Sequence, residues 1–487
     1  MKEEQRMDAL RDGGLFWLGD DDQLPTSLPP QEGCVAGLLE VAEDGQITLD
    51  LIGVLSDDGE DSICLGVEEV SPRTIRGLLK GTGEHVLLTG ARPIKMHYTD
   101  QMSSQVMRAT AALVSKHPIT VSQFTELMMP LEGFEAWAYP GSVSGERPVG
   151  DDGQRHLLSL RLARDCDRVY ETSIGQLTFQ TDFGGYLPSY DSTSVDVSLK
   201  SQLVLCLSVH ASLDQILDYF RGFEDLILLL SNSSRSLPWP IAKSASLDGL
   251  VRIYYARANQ NSAVFNRHQC WLSLTRLGED FSAVVNRWFE RRRELGPGLH
   301  LFLGMRRPRP MYIEHKFANL VWGLESLHRR LYDDDTESNE KLRLKGERII
   351  SVLSQVKWAN ASDKRYALGK FKNVEASLAE RIEQLLLSVG LGFDNEKLRY
   401  FAEKCADLRN DLSHYGGERT PGTYSDVIEG YVAFSIALGH LYHLLLLHLV
   451  GISDVHIHWL VNEHRDHVRH HLARVNLVPL MKAPSTS

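Results

Sequence analysis

The spacing of apolar residues changes period near residue 300, and that change constrains the fold more than any other feature of the chain. Before it, apolar and polar residues alternate over short runs, as where Thr48 and Asp50 separate Ile47, Leu49 and Leu51. After it, Phe317, Leu320, Val321 and Leu324 fall at i, i+3, i+4 and i+7, as do Ile349, Val352, Leu353 and Val356. Leu378, Ile382, Leu385, Leu386 and Val389 continue the rhythm. A period of two buries one face of a strand, whereas a period near 3.6 makes an apolar stripe along a helix. The expected fold class is α+β and multidomain: a β-rich, sandwich-like N-terminal region followed by an all-α helical bundle. With 487 residues the chain exceeds the roughly 100–200 of one domain. The expected division is 1–230 for the β-rich part, 231–305 for its continuation and a linker, and 306–487 for the helical part.

In the front part, Cys34–Val41, the turn Glu43-Asp44-Gly45 and Ile47–Leu51 read as a hairpin. Further strands are expected at Val86–Thr89, His156–Leu162, Gln176–Gln180, Gln202–Val209, Val251–Tyr255 and Cys270–Leu274, with a helix at Leu213–Phe223. Pro140–Gly153 and Ser231–Pro240 read as breaks. Arg306-Arg307-Pro308-Arg309-Pro310 is a stiff basic segment that reads as the junction between the halves. Asp333–Glu340 reads as a solvated loop rather than a metal site, because adjacent aspartates in a loop point in different directions.

The formal charge of −12 is unevenly spread. Residues 301–480 carry 24 Lys+Arg against 23 Asp+Glu, and residues 1–300 carry a net −14. Phosphate attraction needs clustered basic charge, so any RNA contact is expected in the back half. The apolar run Tyr431–Val450 is interrupted by Ser435, His440, His443 and His448 and reads as a core helix, with no membrane span expected. The six cysteines form no C-x-x-C pair and MKEEQRMDALRDGG lacks a signal-like apolar stretch, so a cytoplasmic location is expected. The chain has no phosphate-binding G-x-x-x-x-G-K-[ST] loop, dinucleotide fingerprint or G-x-S-x-G elbow, which leaves nucleotide hydrolysis and esterase chemistry unsupported.

The run Arg409-Asn410-Asp411-Leu412-Ser413-His414 carries the chemistry. A helix from about Asn395 to Leu412 turns Leu398, Phe401, Cys405, Leu408 and Leu412 toward a core and ends before Gly416-Gly417. At about 100° per residue, Asn410 and His414 share a face, while Arg409 lies roughly 140° from His414 unless the helix end frays. An imidazole takes or gives a proton near neutral pH. Arginine is permanently charged and forks onto phosphate oxygens, which suits the extra negative charge of a pentacoordinate phosphate. Asn410 is placed to orient either the imidazole or the phosphate. Such residues suit cleavage of RNA through its own 2′-hydroxyl, which requires no metal and no cofactor.

With Asn directly after Arg, at the end of an amphipathic helix in a helical bundle, the chain resembles the HEPN superfamily, whose nuclease members carry R-N-x-x-x-H. It also resembles the ApeA-like bacterial anti-phage proteins, which join a β-rich N-terminal domain to a HEPN domain. Phe16-Trp17-Leu18, the stretches Lys80 to Gly90 and Phe124 to Trp137, and the stretch Phe317 to His328 carry that wider resemblance, which spans nearly the whole chain. The resemblance implies Arg409, Asn410 and His414 as catalytic, with Glu325 as a polar helix residue facing the site. Glu325 also reads as a surface partner of Arg329 at i+4. It further implies an anti-phage RNA endonuclease of the abortive-infection type, with tRNA as a target class. A homodimer or higher homo-oligomer and a phage-derived trigger are the implied partners. The alternative is a catalytically silent HEPN module that binds RNA or protein beside a ligand-sensing β domain.

Nine of the 19 histidines fall within 440–471, and His467 and His471 stand at i and i+4. That spacing can chelate zinc, but a structural site needs four placed ligands, so helix surface and packing are the expected roles.

Overall fold

The computed structural model describes residues 10–19, 33–55, 71–98, 102–120, 123–138, 143–146, 159–162, 167–186, 196–245, 249–257, 265–307, 310–332, 336–372, 375–415, 424–464 and 467–479. Two compact units divide between Ser282 and Ala283. The strands in chain order are β1 (Arg11–Leu18), β2 (Val35–Val41), β3 (Ile47–Ile52), β4 (Arg73–Leu79), β5 (His85–Tyr98), β6 (Ser103–Ala109), β7 (Ala111–Ser115), β8 (Phe124–Pro130), β9 (Val143–Glu146), β10 (Ser159–Leu162), β11 (Arg168–Thr172), β12 (Gly175–Tyr186), β13 (Asp196–Ala211), β14 (Ile241–Ser244) and β15 (Leu250–Tyr255). The helices are α1 (Glu135–Ala138), α2 (Leu213–Ser231), α3 (Leu274–Leu277), α4 (Asp280–Arg306), α5 (Ile313–Tyr332), α6 (Thr336–Gln355), α7 (Ala361–Lys372), α8 (Leu378–Leu387), α9 (Asn395–Tyr415), α10 (Tyr424–Leu449), α11 (Asp454–Asn462) and α12 (Val468–Arg474).

Among the described residues of the first unit, thirteen strands form one sheet in the order β11-β12-β13-β8-β14-β15-β7-β5-β4-β1-β2-β3-β6, and a further β5–β6 pairing closes its last six strands into a barrel. The long strand β5 makes the closure. Its first half, His85–Thr89, pairs with β7, and its second half, Arg92–Tyr98, pairs with β6. Gly90 stands between them at φ 61, where a Cβ would come within 2.4 Å of the Thr110 hydroxyl. Only glycine meets both demands. The expected hairpin is β2–β3, with Ile47, Leu49 and Leu51 in the core and Gly45 at φ 76 in its turn. The alternation read correctly as strands does not say which strands pair, so one sheet closing on itself takes the place of two facing sheets.

Helix α2 runs to Ser231, eight residues past its expected end, because Leu226–Leu230 are all buried and show no periodicity to read. Its start is a capping box in which Ser212 and Gln215 satisfy each other's backbone N–H. Cys270–Leu274 is not a strand. It is a buried turn in which the Leu272 carbonyl accepts from Trp137 Nε1 at 2.9 Å, and Ser273 caps α3. A short apolar run shows burial without showing conformation. Within Pro140–Gly153, Val143–Glu146 pairs with β10 and the other residues lie outside those described, as do His156–Leu158.

The second unit opens inside α4, well before Arg306–Pro310. That basic segment therefore sits between two helices of the second unit, with Pro308 and Arg309 outside the described residues. Gly296, at φ 51, kinks α4 ahead of Pro297. At Gly298 a Cβ would meet the Gly323 carbonyl oxygen at 2.7 Å, so α4 and α5 lie backbone to backbone. Helix α10 is the core element: Leu441, Tyr442 and Leu444–Leu447 are fully buried, and it packs on α5, α8, α11 and α12. By length and hydropathy alone it is also a helix that could cross a membrane. Asp333–Asp335 lie outside the described residues, whereas Thr336–Glu340 form the first turns of α6 rather than a loop.

Candidate functional site

Helix α9 brings Arg409, Asn410 and His414 to its C-terminal end. Leu398, Phe401, Ala402 and Cys405 are buried at 0% exposure, so the inner face of α9 is pinned over about two turns before the motif begins. Burial pushes the Cys405 thiol well above its ordinary range and marks it as a packing residue. Tyr431 of α10 completes the anchor. Its hydroxyl donates to the Leu408 carbonyl at 3.0 Å, its ring meets Phe317 edge-on, and burial, with Asp411 and Glu314 adding to it, raises its pKa to about 12. The residue just before Arg409 is thus fixed from another helix. Nothing in the sequence pattern marked Tyr431 for this task.

Arg409 is a quarter exposed. One guanidinium nitrogen donates to Asn410 Oδ1 at 3.2 Å, another lies 3.9 Å from Glu325 Oε2, and Nε is buried without a hydrogen-bond partner among the described residues. Glu325 holds Arg329 at 3.3 Å as well, so it is both the i+4 partner of Arg329 and a neighbour of the motif. From Arg329 the ion pairs continue to Glu375 at 3.4 Å and on to Arg381 at 2.8 Å, whose side chain is 7% exposed. Five alternating charges across α9, α5 and the start of α8 restrict where the Arg409 guanidinium can point. Exposed pairs of this kind contribute little stability singly, so their effect is orientation.

Asn410 is exposed and its carbonyl oxygen is engaged by Arg409, which is an additional role to those expected for it. Helix α9 continues without fraying through Tyr415, so on the backbone Arg409 and His414 remain roughly 140° apart. Residues 416–423 lie outside those described.

The histidine cluster divides between packing and surface: His443 and His464 are buried, whereas His458, His467 and His470 are exposed. His467 precedes α12 in the left-handed region at φ 52, so His467 and His471 are not i and i+4 on one helix. His471 stacks on His440 with ring centres 5.3 Å apart, and burial, His471 and Arg306 together lower the His440 pKa to about 3. Among the described residues no group of three or more His, Cys, Asp or Glu is placed to hold a metal.

A barrel-and-sheet unit followed by a helical unit, with R-N-x-x-x-H closing one of its helices, defines a HEPN-domain protein with a β-rich N-terminal part. Two family models match the chain: ApeA N-terminal domain 1 over residues 13–288, and Apea-like HEPN over residues 318–455. The first alone covers more than half of the sequence, and the chain belongs to the ApeA-like HEPN family. No curated protein and no solved structure matched it.

Proposed function

We propose that this protein is a metal-independent RNA endonuclease of anti-phage defence, with its catalytic half-site at the end of α9. The observation that carries the reading is the holding of Arg409, within the HEPN-matched segment, by Glu325 and Asn410 at a rigidly packed helix end. In the reaction, the 2′-oxygen of a ribose attacks its own phosphorus as its proton is taken by a base. The bond from phosphorus to the 5′-oxygen breaks, and that oxygen receives a proton as it leaves. Arg409 supplies the charge that the pentacoordinate phosphate needs, His414 moves the protons, and Asn410 and Glu325 keep the guanidinium aimed. The products are a 2′,3′-cyclic phosphate and a 5′-hydroxyl. tRNA is the target class.

A single α9 supplies only one Arg/His set, and by resemblance to HEPN nucleases, which pair two such motifs across a shared cleft, a second copy of the chain completes the site. Among the described residues 428–449 of α10, only Glu429 is exposed, so that helix offers little free surface for the pairing expected of it.

The test is to incubate the purified full chain with total RNA in EDTA and map the fragment ends, with light scattering on the same sample. Cyclic-phosphate ends from a dimer or larger species support the reading. Absence of cleavage under every activating condition supports a silent RNA- or protein-binding module, and full-rate cleavage by a monomer removes the two-copy site.

A further inference from the structure

The first unit is acidic as a whole, with 23 Lys+Arg against 39 Asp+Glu over residues 1–282. Within it, a cavity of about 680 Å³ lies at the corner where β5 leaves β7 to close the barrel against β6. Gly90, Arg92, Arg108, Thr110, Arg221 and Tyr255 are among its walls, and its described lining holds three arginines and no carboxylate. Arg92 and Arg108 are direct cross-strand partners in the antiparallel β5–β6 ladder. Like charges in that relation destabilise a sheet unless an anion answers them. Neither is in an ion pair among the described residues.

Arg221 reaches the cavity from α2, with its guanidinium 5.0 Å from the centre of the Tyr255 ring. Arg257, next to the lining residue Ala256, is a different case. It is half-buried over Trp239 and has Glu224 to offset its charge, so it adds no free positive charge. The register of β5 shifts between Pro93 and Lys95, and Ile94 lines the cavity half-exposed, which puts an apolar edge beside the charges.

We propose that this cavity binds a small ligand carrying a di- or triphosphate, of the nucleoside polyphosphate class. Arginine forks match phosphate oxygens two at a time, and three of them answer a multiply charged group better than a single carboxylate. The cavity falls in the size range of small-molecule sites, about 300–1,000 Å³. The acidity of the surrounding unit disfavours a long polyanion while leaving a short one free to reach a local basic site. Occupancy relieves the Arg92–Arg108 repulsion, so the ligand stabilises the barrel seam that it touches.

The test needs no RNA cleavage and stands apart from the nuclease reading. Inorganic tripolyphosphate and ATP are titrated by calorimetry into the full chain in EDTA at fixed ionic strength, beside Arg92→Gln, Arg108→Gln and, as a distant control, Arg11→Gln. Saturable binding is expected, weakened about ten-fold or more in the first two variants and unchanged in the control. Ligand-free Arg108→Gln is also expected to melt about 1–3 °C higher than the parent, which shows that it folds and that the repulsion was real. No saturable binding, or equal weakening in Arg11→Gln, overturns the proposal. Tighter binding of a single-stranded RNA oligomer than of tripolyphosphate through the same arginines overturns it in favour of a nucleic-acid track.

Discussion

Arg409 is a charge that the fold has aimed but not neutralised. Among the described residues its Nε is buried without a hydrogen-bond partner, and the Glu325 carboxylate lies 3.9 Å from another of its nitrogens, a separation that orients without consuming the donor fork. We predict that Arg409→Ala and His414→Ala each abolish RNA cleavage while lowering stability by only about 1 kcal/mol, since both positions lie in the last turns of α9, beyond its buried anchors from Leu398 to Cys405. Cleavage assays beside thermal melts check this, and retained cleavage in either folded variant removes the assignment. Glu325→Gln keeps the shape but loses the charge that Arg409 and Arg329 share. Cleavage is expected to fall by about ten-fold, with Glu325→Asp intermediate, because misplacement of a catalytic group by a fraction of an ångström is costly. If Glu325→Gln cuts at the parental rate, Glu325 is only the surface partner of Arg329.

At the scale of elements, the packing of α10 against α12 carries a pH dependence. The His440 pKa is lowered from 6.5 to about 3, chiefly by burial, whereas the unfolded chain regains the ordinary value. A histidine depressed in the folded state contributes no penalty above pH 6.5. Below it the unfolded state takes up the proton first, and stability falls as pH drops toward 3. The slope is at most about 1.4 kcal/mol per pH unit from this one group. Melting the parent and His440→Gln at pH 7.5 and 5.0 checks the sign: the parent is expected to lose more. An equal loss in both would place the acid sensitivity elsewhere.

For the whole molecule, the position of the unit boundary decides which fragment can fold. Val284, Val285, Trp288, Leu295 and Leu299 are buried parts of α4, and Arg291 reaches the Leu449 carbonyl at 3.5 Å. A fragment begun at Arg306 discards them all. We predict a cooperative melt for residues 283–487 and a broad or absent one for 306–487, read by circular dichroism. The same longer fragment tests restraint of the nuclease by the acidic first unit: higher activity per mole than the full chain at low salt supports it. A cooperative melt of the shorter fragment would show α4 to be dispensable.

What the sequence determined by itself was local. The period change near residue 300, the β2–β3 hairpin, α5, α8 and α9, and the motif at the end of α9 were legible because periodicity and turn chemistry act within a few residues. The neighbourhood of Glu325 was half legible, since its i+4 link to Arg329 is local and its approach to Arg409 is not. Tertiary structure alone decided the rest: the barrel closure by β5 and β6, the conformation of Cys270–Leu274, the start of the second unit inside α4, and the grip of Tyr431 on α9. Each depends on which distant segments meet, and a one-dimensional pattern records that a side chain is buried without recording against what.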